Sequence, residues 1–346
     1  MNNPFTLDFG KEPTLYIPRN AESRKIIETF CSDIPSTHIF IIVGARGAGK
    51  TVLMTTVSRK LCEDDRWIHI DLNPETDLLN GLASNLNSKS KKRFPKIGFD
   101  LSVKGLGVSL ESDRRYSDIQ VDLDEMIKTI GKKDVRILVT VDEISNSKNI
   151  REFTSYFQHC LREELPVFVL ATGLYKNVRA LQNSRSQTFL RRAPKINLEA
   201  LNTLRIAKSY EKVFGISHLE SVNLSKMTCG YSYAFQILGY MLFESGEKVL
   251  DDDTLFEYKM SLYEGSYEKI WEEMSESERL VIKAIAEMGD NVRVKEVREK
   301  ISMNSNNYST YQNTLIKSGI LSGETAYGSI EFALPFFREF VVEKML

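Results

Sequence analysis

IFIIVGARGAGKT, Ile39 to Thr51, joins an apolar run to a glycine-punctuated turn and then to a helix-compatible segment. Residues Ile39 to Val43 predict a buried strand, and Lys50 to Leu61 predicts an amphipathic helix with Val52, Leu53, Val57 and Leu61 on its apolar stripe. The turn fits G-x-x-x-x-G-K-[ST], with Gly44, Gly49, Lys50 and Thr51 in the fixed places. Glycine lets such a turn wrap a phosphate chain, so that backbone amides of Gly44, Ala45, Arg46, Gly47, Ala48, Gly49, Lys50 and Thr51 face it and the helix adds the positive end of its dipole. Lys50 is then expected to reach the outer phosphates and Thr51 to ligate Mg2+.

A second stretch completes that chemistry. The β-branched run Val135 to Val141 ends in Asp142-Glu143. Parallel strands bring their C-terminal ends to one edge of a sheet, which is expected to set Asp142 beside Thr51 as a second metal ligand. Glu143, one residue further, is placed to take a proton from an attacking water. The buried run Val167 to Ala171 is followed by Thr172, which either orients that water and senses the terminal phosphate or caps a helix before Leu174. Spacing leaves both open. Arg191 and Arg192 are either an arginine finger for a neighbouring subunit or surface ion-pair partners.

At 346 residues the chain exceeds the usual single core, and two or three domains are expected. With 46 Lys and Arg against 47 Asp and Glu, global attraction to nucleic acid or an acidic membrane is excluded, and such binding needs a local patch. A basic N-terminal region followed by an apolar core is absent, as is any apolar run of membrane-spanning length, so a cytoplasmic protein with no membrane partner is expected. Cys31, Cys62, Cys160 and Cys229 stand far apart and form no metal-ligand pattern with the histidines. His159 and Cys160 are helix neighbours that point in different directions, which argues against a nucleophile pair.

In chain order, a packing arm leads to a helix from Ala21 to Phe30. The strand Trp67 to Leu72 and a helix from Thr76 to Leu86 continue the βα rhythm of a parallel sheet. The basic run Lys89, Lys91, Lys92, Arg93 and Lys96 reads as a solvated loop rather than a nucleic-acid contact. Period-two alternation from Ile97 to Leu110 around Lys104-Gly105 predicts an inserted hairpin at about 96–111. Helices Asp118 to Ile130 and Asn149 to Glu164 and a short strand Lys195 to Leu198 follow. From Glu199 helical patterns take over, with stripes at Leu201, Leu204, Ala207 and Val213, and from Ala234 to Phe243. A last unit begins near Ser275, with a helix carrying Leu280, Ile282, Ile285 and Met288, helices at Val294 to Ile301 and Tyr308 to Lys317, and a hairpin with Leu321, Gly323, Gly328, Ile330 and Phe332. Three helices and a hairpin predict a winged helix. The expected domains are 1–198, 199–274 and 275–346. The predicted recognition helix is rich in Asn, Ser, Thr and Gln, yet residues 276–346 hold nine Lys and Arg against ten Asp and Glu, an unusual balance for a DNA-binding module.

NPFTLDFG, GARGAGKT, ILVTVDEI, LATGL, TFLRRA, CGYSYAFQILGY and FALPFFREF together resemble AAA+ ATPases of the origin-recognition-like kind found in bacteria and on their mobile elements. The resemblance implies an α/β fold: a P-loop AAA+ parallel-sheet core, a helical lid and a C-terminal winged-helix domain. It implies ATP as the nucleotide, Mg2+ as its metal, hydrolysis as the reaction, and Arg19 beside the adenine. Pro18-Arg19 stands where the family has Gly-Arg, and Gly230-Tyr231-Ser232 where relatives often have Gly-Tyr-Pro. The lid helix lacks the usual second-sensor arginine, and in this it is similar to the STAND switch ATPases. The expected role is a DNA-associated ATPase of a replication, transposition or mobile-element system. The alternative is a STAND-like nucleotide switch that recruits a protein partner in defence or regulation. Expected partners are ATP, duplex DNA or a protein, and further copies of the chain.

Overall fold

Strands of a parallel sheet are covered on both faces, so they read as unbroken apolar runs rather than alternating ones. The computed structural model of the chain, which describes residues 2–7, 13–93, 116–246, 250–289, 292–323 and 328–346, has its strands at those runs. The elements in the first part of the chain are α1 (Asn20–Cys31), β1 (Ile39–Val43), α2 (Lys50–Leu61), β2 (Trp67–Leu72), α3 (Leu78–Arg93), α4 (Tyr116–Gly131), β3 (Arg136–Val141), α5 (Lys148–Arg162), β4 (Val167–Gly173), α6 (Tyr175–Asn183), a 3-10 segment (Arg185–Arg192) and β5 (Lys195–Asn197). The five strands lie in the order β2-β3-β4-β1-β5, and the pairs β2/β3, β3/β4 and β1/β4 run parallel. All five residues of β1 and all seven of β4 are buried. The predicted hairpin at 96–111 lies outside the described residues.

The chain forms two compact units. One comprises Arg19–Val43 and Leu53–Ile196 and contains the sheet; the other comprises Met1–Pro18, Gly44–Val52 and Asn197–Leu346 and is mostly helical.

In the sheet unit, polar interruptions of the apolar runs have structural partners. Arg136 directs its guanidinium at the carbonyls of Phe30 and Ser32 at the end of α1, 3.0 Å from the latter, and lies over the rings of Trp67 and Phe168. A cation at a helix C-terminus answers the negative end of the dipole and its orphan carbonyls. Thr140 donates to Asp71 at 2.5 Å and accepts from His69 Nε2 at 2.8 Å. The basic run also differs from its expectation of a solvated loop. Lys89 to Arg93 is the last turn of α3, and Lys89 and Arg93 donate to the β2 carbonyls of His69 and Trp67. Tying long cations to the edge strand extends the helix beyond the expected Leu86.

The helical unit holds α7 (Thr203–Phe214), α8 (His218–Lys226), α9 (Ser232–Ser245), α10 (Asp252–Leu262), a π turn (Tyr263–Tyr267), α11 (Glu268–Glu272), α12 (Glu276–Met288), β6 (Val292–Arg293), α13 (Val294–Lys300), α14 (Ser305–Lys317), β7 (Leu321–Ser322), β8 (Ser329–Phe332) and α15 (Phe337–Glu343). Several of its helix starts are capped by side chains: Asn202 accepts from Arg205 N, while Ser217 with Glu220 and Ser275 with Glu278 form capping boxes. The hairpin pairs Leu321 with Phe332, and β6 joins it in a three-stranded sheet of order β6-β8-β7. Two predicted stripe residues are wrong: Leu204 and Leu280 are exposed, and the buried faces of α7 and α12 instead carry Ile206, Ala207 and Tyr210, and Val281, Ile282 and Ile285. One hydrophobic cluster runs from Phe5 through Tyr210, Phe235 and Tyr267 to Phe340, so residues on both sides of position 275 share a core.

The arm belongs to this cluster. Phe5 is 3% exposed and packs its ring on Tyr210, Phe214 and Phe235. Gln236 of α9 clasps the arm from both ends, accepting from Thr6 N at 3.1 Å and donating to Leu15 O at 2.8 Å. Gly239 makes room for the ring, because a Cβ there would stand 2.3 Å from Phe5. Gly239→Ala is therefore expected to destabilise the protein by about 1–3 kcal/mol, and to cost less in a Phe5→Ala background, as urea unfolding of the four-member cycle will measure.

Candidate functional site

Sheet topology sets the height of the acidic half. The register pairs Ile42 with Thr172 and Val43 with Gly173, while Val141 pairs with Ala171. Asp142, first residue beyond β3, is thus level with Thr172. The Thr172 side chain is buried and donates its hydroxyl proton to Asp142 Oδ1. Its oxygen accepts from the backbone N–H of Glu143 at 3.1 Å, and the same N–H also reaches Asp142 Oδ1 at 3.1 Å. Ile144 N donates to Thr172 O at 2.8 Å, closing the turn. Glu143 sits at φ 54° and is exposed. Left-handed backbone at a non-glycine residue costs about 1–3 kcal/mol and gathers at functional sites. Helix α6 starts after Leu174 with no side-chain cap bond.

The loop half is held within the helical unit. Gly47 and Gly49 adopt φ 74° and 88°, a conformation that side chains resist. Lys50 is 8% exposed and its ammonium donates to Gly44 O at 3.3 Å and Ala45 O at 2.9 Å. The Arg46 guanidinium meets Glu273 at 2.6 Å. Tyr231 Oη donates to Arg46 O at 2.6 Å and lies 2.7 Å from Ser266 Oγ, and Ser232 Oγ donates to Ala48 O at 3.1 Å. A phenol has one proton, so Ser266 donates to Tyr231. Burial pushes the Tyr231 phenol well above its ordinary range, keeping that proton in place. Ala45 is covered by Gly319, where a Cβ would stand 3.1 Å from that of Ala45.

The chemistry of the donors fits a nucleotide and its metal. Successive amides beside positive-φ glycines suit an anion, and Lys50 supplies a cation. Magnesium takes one or two protein oxygens and completes its shell with phosphates and water, and Thr51 and Asp142 are oxygens of that kind. Among the described residues no cluster of three or more His, Cys, Asp or Glu side chains could hold a metal by itself.

Arg19 precedes α1 and pairs with Glu22 at 3.9 Å. Arg191 and Arg192 are exposed at the end of the 3-10 segment, where Arg191 donates to Gln182 O at 3.2 Å and Asn183 Oδ1 at 3.3 Å. His159 Nε2 donates to Asp124 Oδ2 at 2.7 Å, and burial pushes the neighbouring Cys160 thiol up to about 12, so the two form no nucleophile pair. Sequence reasoning missed Glu273 and Ser266 altogether. The Gly230-Tyr231-Ser232 departure was the one signal for the loop's partners.

This topology is the P-loop AAA+ fold, and comparisons with known proteins agree. The chain is similar to a Walker-type ATPase of Pyrococcus abyssi, at 16% identity and a TM-score of 0.65 over 95% of this chain and 96% of that one. It is also similar to the ORC2 protein of Aeropyrum pernix, in a structure of its ADPNP and ADP complexes, at 15% identity and a TM-score of 0.61 over 98% and 97%. Residues 264–341 match a family model described as a domain of unknown function (DUF8462). No curated protein matches the chain. No described helix is long and apolar enough to cross a membrane.

Thr172→Val keeps the volume but removes the bonds to Asp142 and to Glu143 N–H. It is expected to destabilise the protein by about 1–3 kcal/mol, whereas Thr172→Ser should retain most of the stability; denaturant midpoints of the two variants check this.

Proposed function

We propose that the protein binds ATP and hydrolyses it with Mg2+. The observation that carries this reading is the coincidence of a glycine phosphate loop after β1 with an acid pair after β3, on a sheet whose parallel strands end at one edge. The amides from Gly44 to Thr51, with Lys50, hold the phosphates. Thr51 and Asp142 are the protein's ligands to magnesium, which when bound neutralises charge on the phosphates. Glu143 takes the proton of the attacking water, and Thr172 fixes the acid pair so that the carboxylate is aimed at it. Arg19 borders the adenine. Arg191 or Arg192 serves a neighbouring copy as an arginine finger, a reading supported by their exposure and by the likeness of fold.

Glu143→Gln is expected to keep ATP and magnesium binding while losing roughly a hundredfold or more in turnover. Lys50→Ala should lose binding as well, as nucleotide titration and phosphate release will show. If the finger acts in trans, specific activity rises with protein concentration, and mixing Glu143→Gln with an Arg191→Ala, Arg192→Ala double variant restores part of it. Unchanged turnover in Glu143→Gln sinks the base assignment.

The hydrolysis serves an association with duplex DNA. We assign 1–198 as the core, 199–274 as a lid and 275–346 as a winged helix whose α14 exposes Ser305, Asn306, Asn307, Ser309, Thr310 and Asn313, groups able to bond phosphates and base edges. The near-neutral charge of 276–346 makes each contact weak, so binding sums over several copies. A second reading, a nucleotide switch that recruits a protein, is favoured by the absence of any Lys or Arg from α9. Glu143→Gln loaded with ATP is expected to bind duplex DNA weakly at low salt and to release it as salt rises. No association at high protein concentration, read by fluorescence anisotropy, leaves the switch.

A further inference from the structure

Two side chains that are neighbours in sequence, Tyr231 and Ser232, hold two carbonyls that alternate along the phosphate loop, those of Arg46 and Ala48. A trans peptide is planar, and its C=O and N–H point to opposite sides. The Arg46 carbonyl shares a plane with the Gly47 N–H, and the Ala48 carbonyl shares one with the Gly49 N–H. Drawing both carbonyls toward the start of α9 aims both N–H groups the other way. The positive φ of Gly47 and Gly49 is the backbone setting that such a pair of inward amides requires. The contact is also tight: a Cβ on Gly47 would stand 2.4 Å from Tyr231 Oη and 2.9 Å from Tyr233 Cβ. Ser266 donates to Tyr231 from the π turn, and Glu273 holds the Arg46 side chain, so the same loop residue is fixed by its backbone and its guanidinium.

We propose that Tyr231 and Ser232 are positioning residues that orient the Gly47 and Gly49 amides toward the phosphates of a nucleoside di- or triphosphate, so that seating of α9 and phosphate binding are one coupled event. This rests on the reading of the loop as a nucleotide site. A loop whose amides are aimed in advance loses less orientational freedom when the anion arrives. By reciprocity, a bound nucleotide strengthens the grip of α9 on the loop by the same factor. The residues touch no phosphate; they act through the peptide planes.

The test uses the full chain as wild type, Tyr231→Phe, Ser232→Ala and Ser232→Thr. Calorimetric titration with magnesium and ADP, and with a non-hydrolysable ATP analogue, is expected to show each of the first two variants about tenfold weaker for both nucleotides, the worth of one hydrogen bond. Ser232→Thr, which keeps the hydroxyl, should stay close to wild type. KM for ATP is expected to rise by a similar factor while kcat at saturation moves much less, since the acid pair is untouched. ADP should slow amide hydrogen exchange at the start of α9 in the wild type and do so less in Tyr231→Phe. If Tyr231→Phe fails to fold, Ser232→Ala decides. Wild-type affinity in a folded variant, or equal loss in Ser232→Thr and Ser232→Ala, overturns the positioning role and leaves the nucleotide site standing. Absence of any nucleotide binding by the wild type instead overturns the nucleotide site, and this proposal with it.

Discussion

Backbone hydrogen bonding between β4 and its two neighbours sets the level of every group at the sheet edge. Because β3 and β1 both run parallel to β4 in fixed register, Thr172 is level with Ile42 on one side and one step beyond Val141 on the other. A slip of one residue would turn Thr172 to the opposite face and leave Asp142 with a different neighbour. Because β4 is buried along its whole length, such a slip would also displace closely packed side chains on both faces of the sheet. The chemistry at the edge therefore depends on packing well inside the sheet.

The sheet strands were legible because burial on both faces writes a continuous apolar run, and the loop was legible because its residues are contiguous. Asp142 and Glu143 could be found for the same reason: a run ends and two acids follow. The contacts of Tyr231 and Ser232 with the loop could not be read, since they join residues more than 180 positions apart and the departure at Gly230-Tyr231-Ser232 does not name what those side chains touch. Leu204 and Leu280 show the limit of periodicity. Each fits a helical stripe, but which arc of the helix is covered depends on neighbours that the stripe does not name. The length of α3 was missed because lysines and arginines read as solvent-facing, while here two of them satisfy carbonyls of β2.

The helical unit draws its cohesion from aromatic side chains. Tyr263 and Tyr267 flank the π turn and contact Phe340, while Tyr267 also packs edge-on to Phe337 and donates to Pro335 O at 2.6 Å. Fully buried phenols are tolerable only where the hydroxyl has a partner or the ring packing offsets its loss of water. Tyr210 and Tyr258 follow the same rule, donating to Phe235 O and Met227 O.

The segment that matches the family model opens at residue 264, inside the π turn. Ser266 and Glu273 fall within it, whereas Tyr231, Arg46 and the rest of the loop fall before it. A recombination event that exchanged this segment at its boundary would carry off the donor to Tyr231 and the counter-ion of Arg46 together. The incoming copy would have to supply both, in register, for the loop to keep its shape. The loop's shape is thus a joint property of both sides of that boundary: a segment grafted in at residue 264 keeps it only where Ser266 and Glu273 come with it.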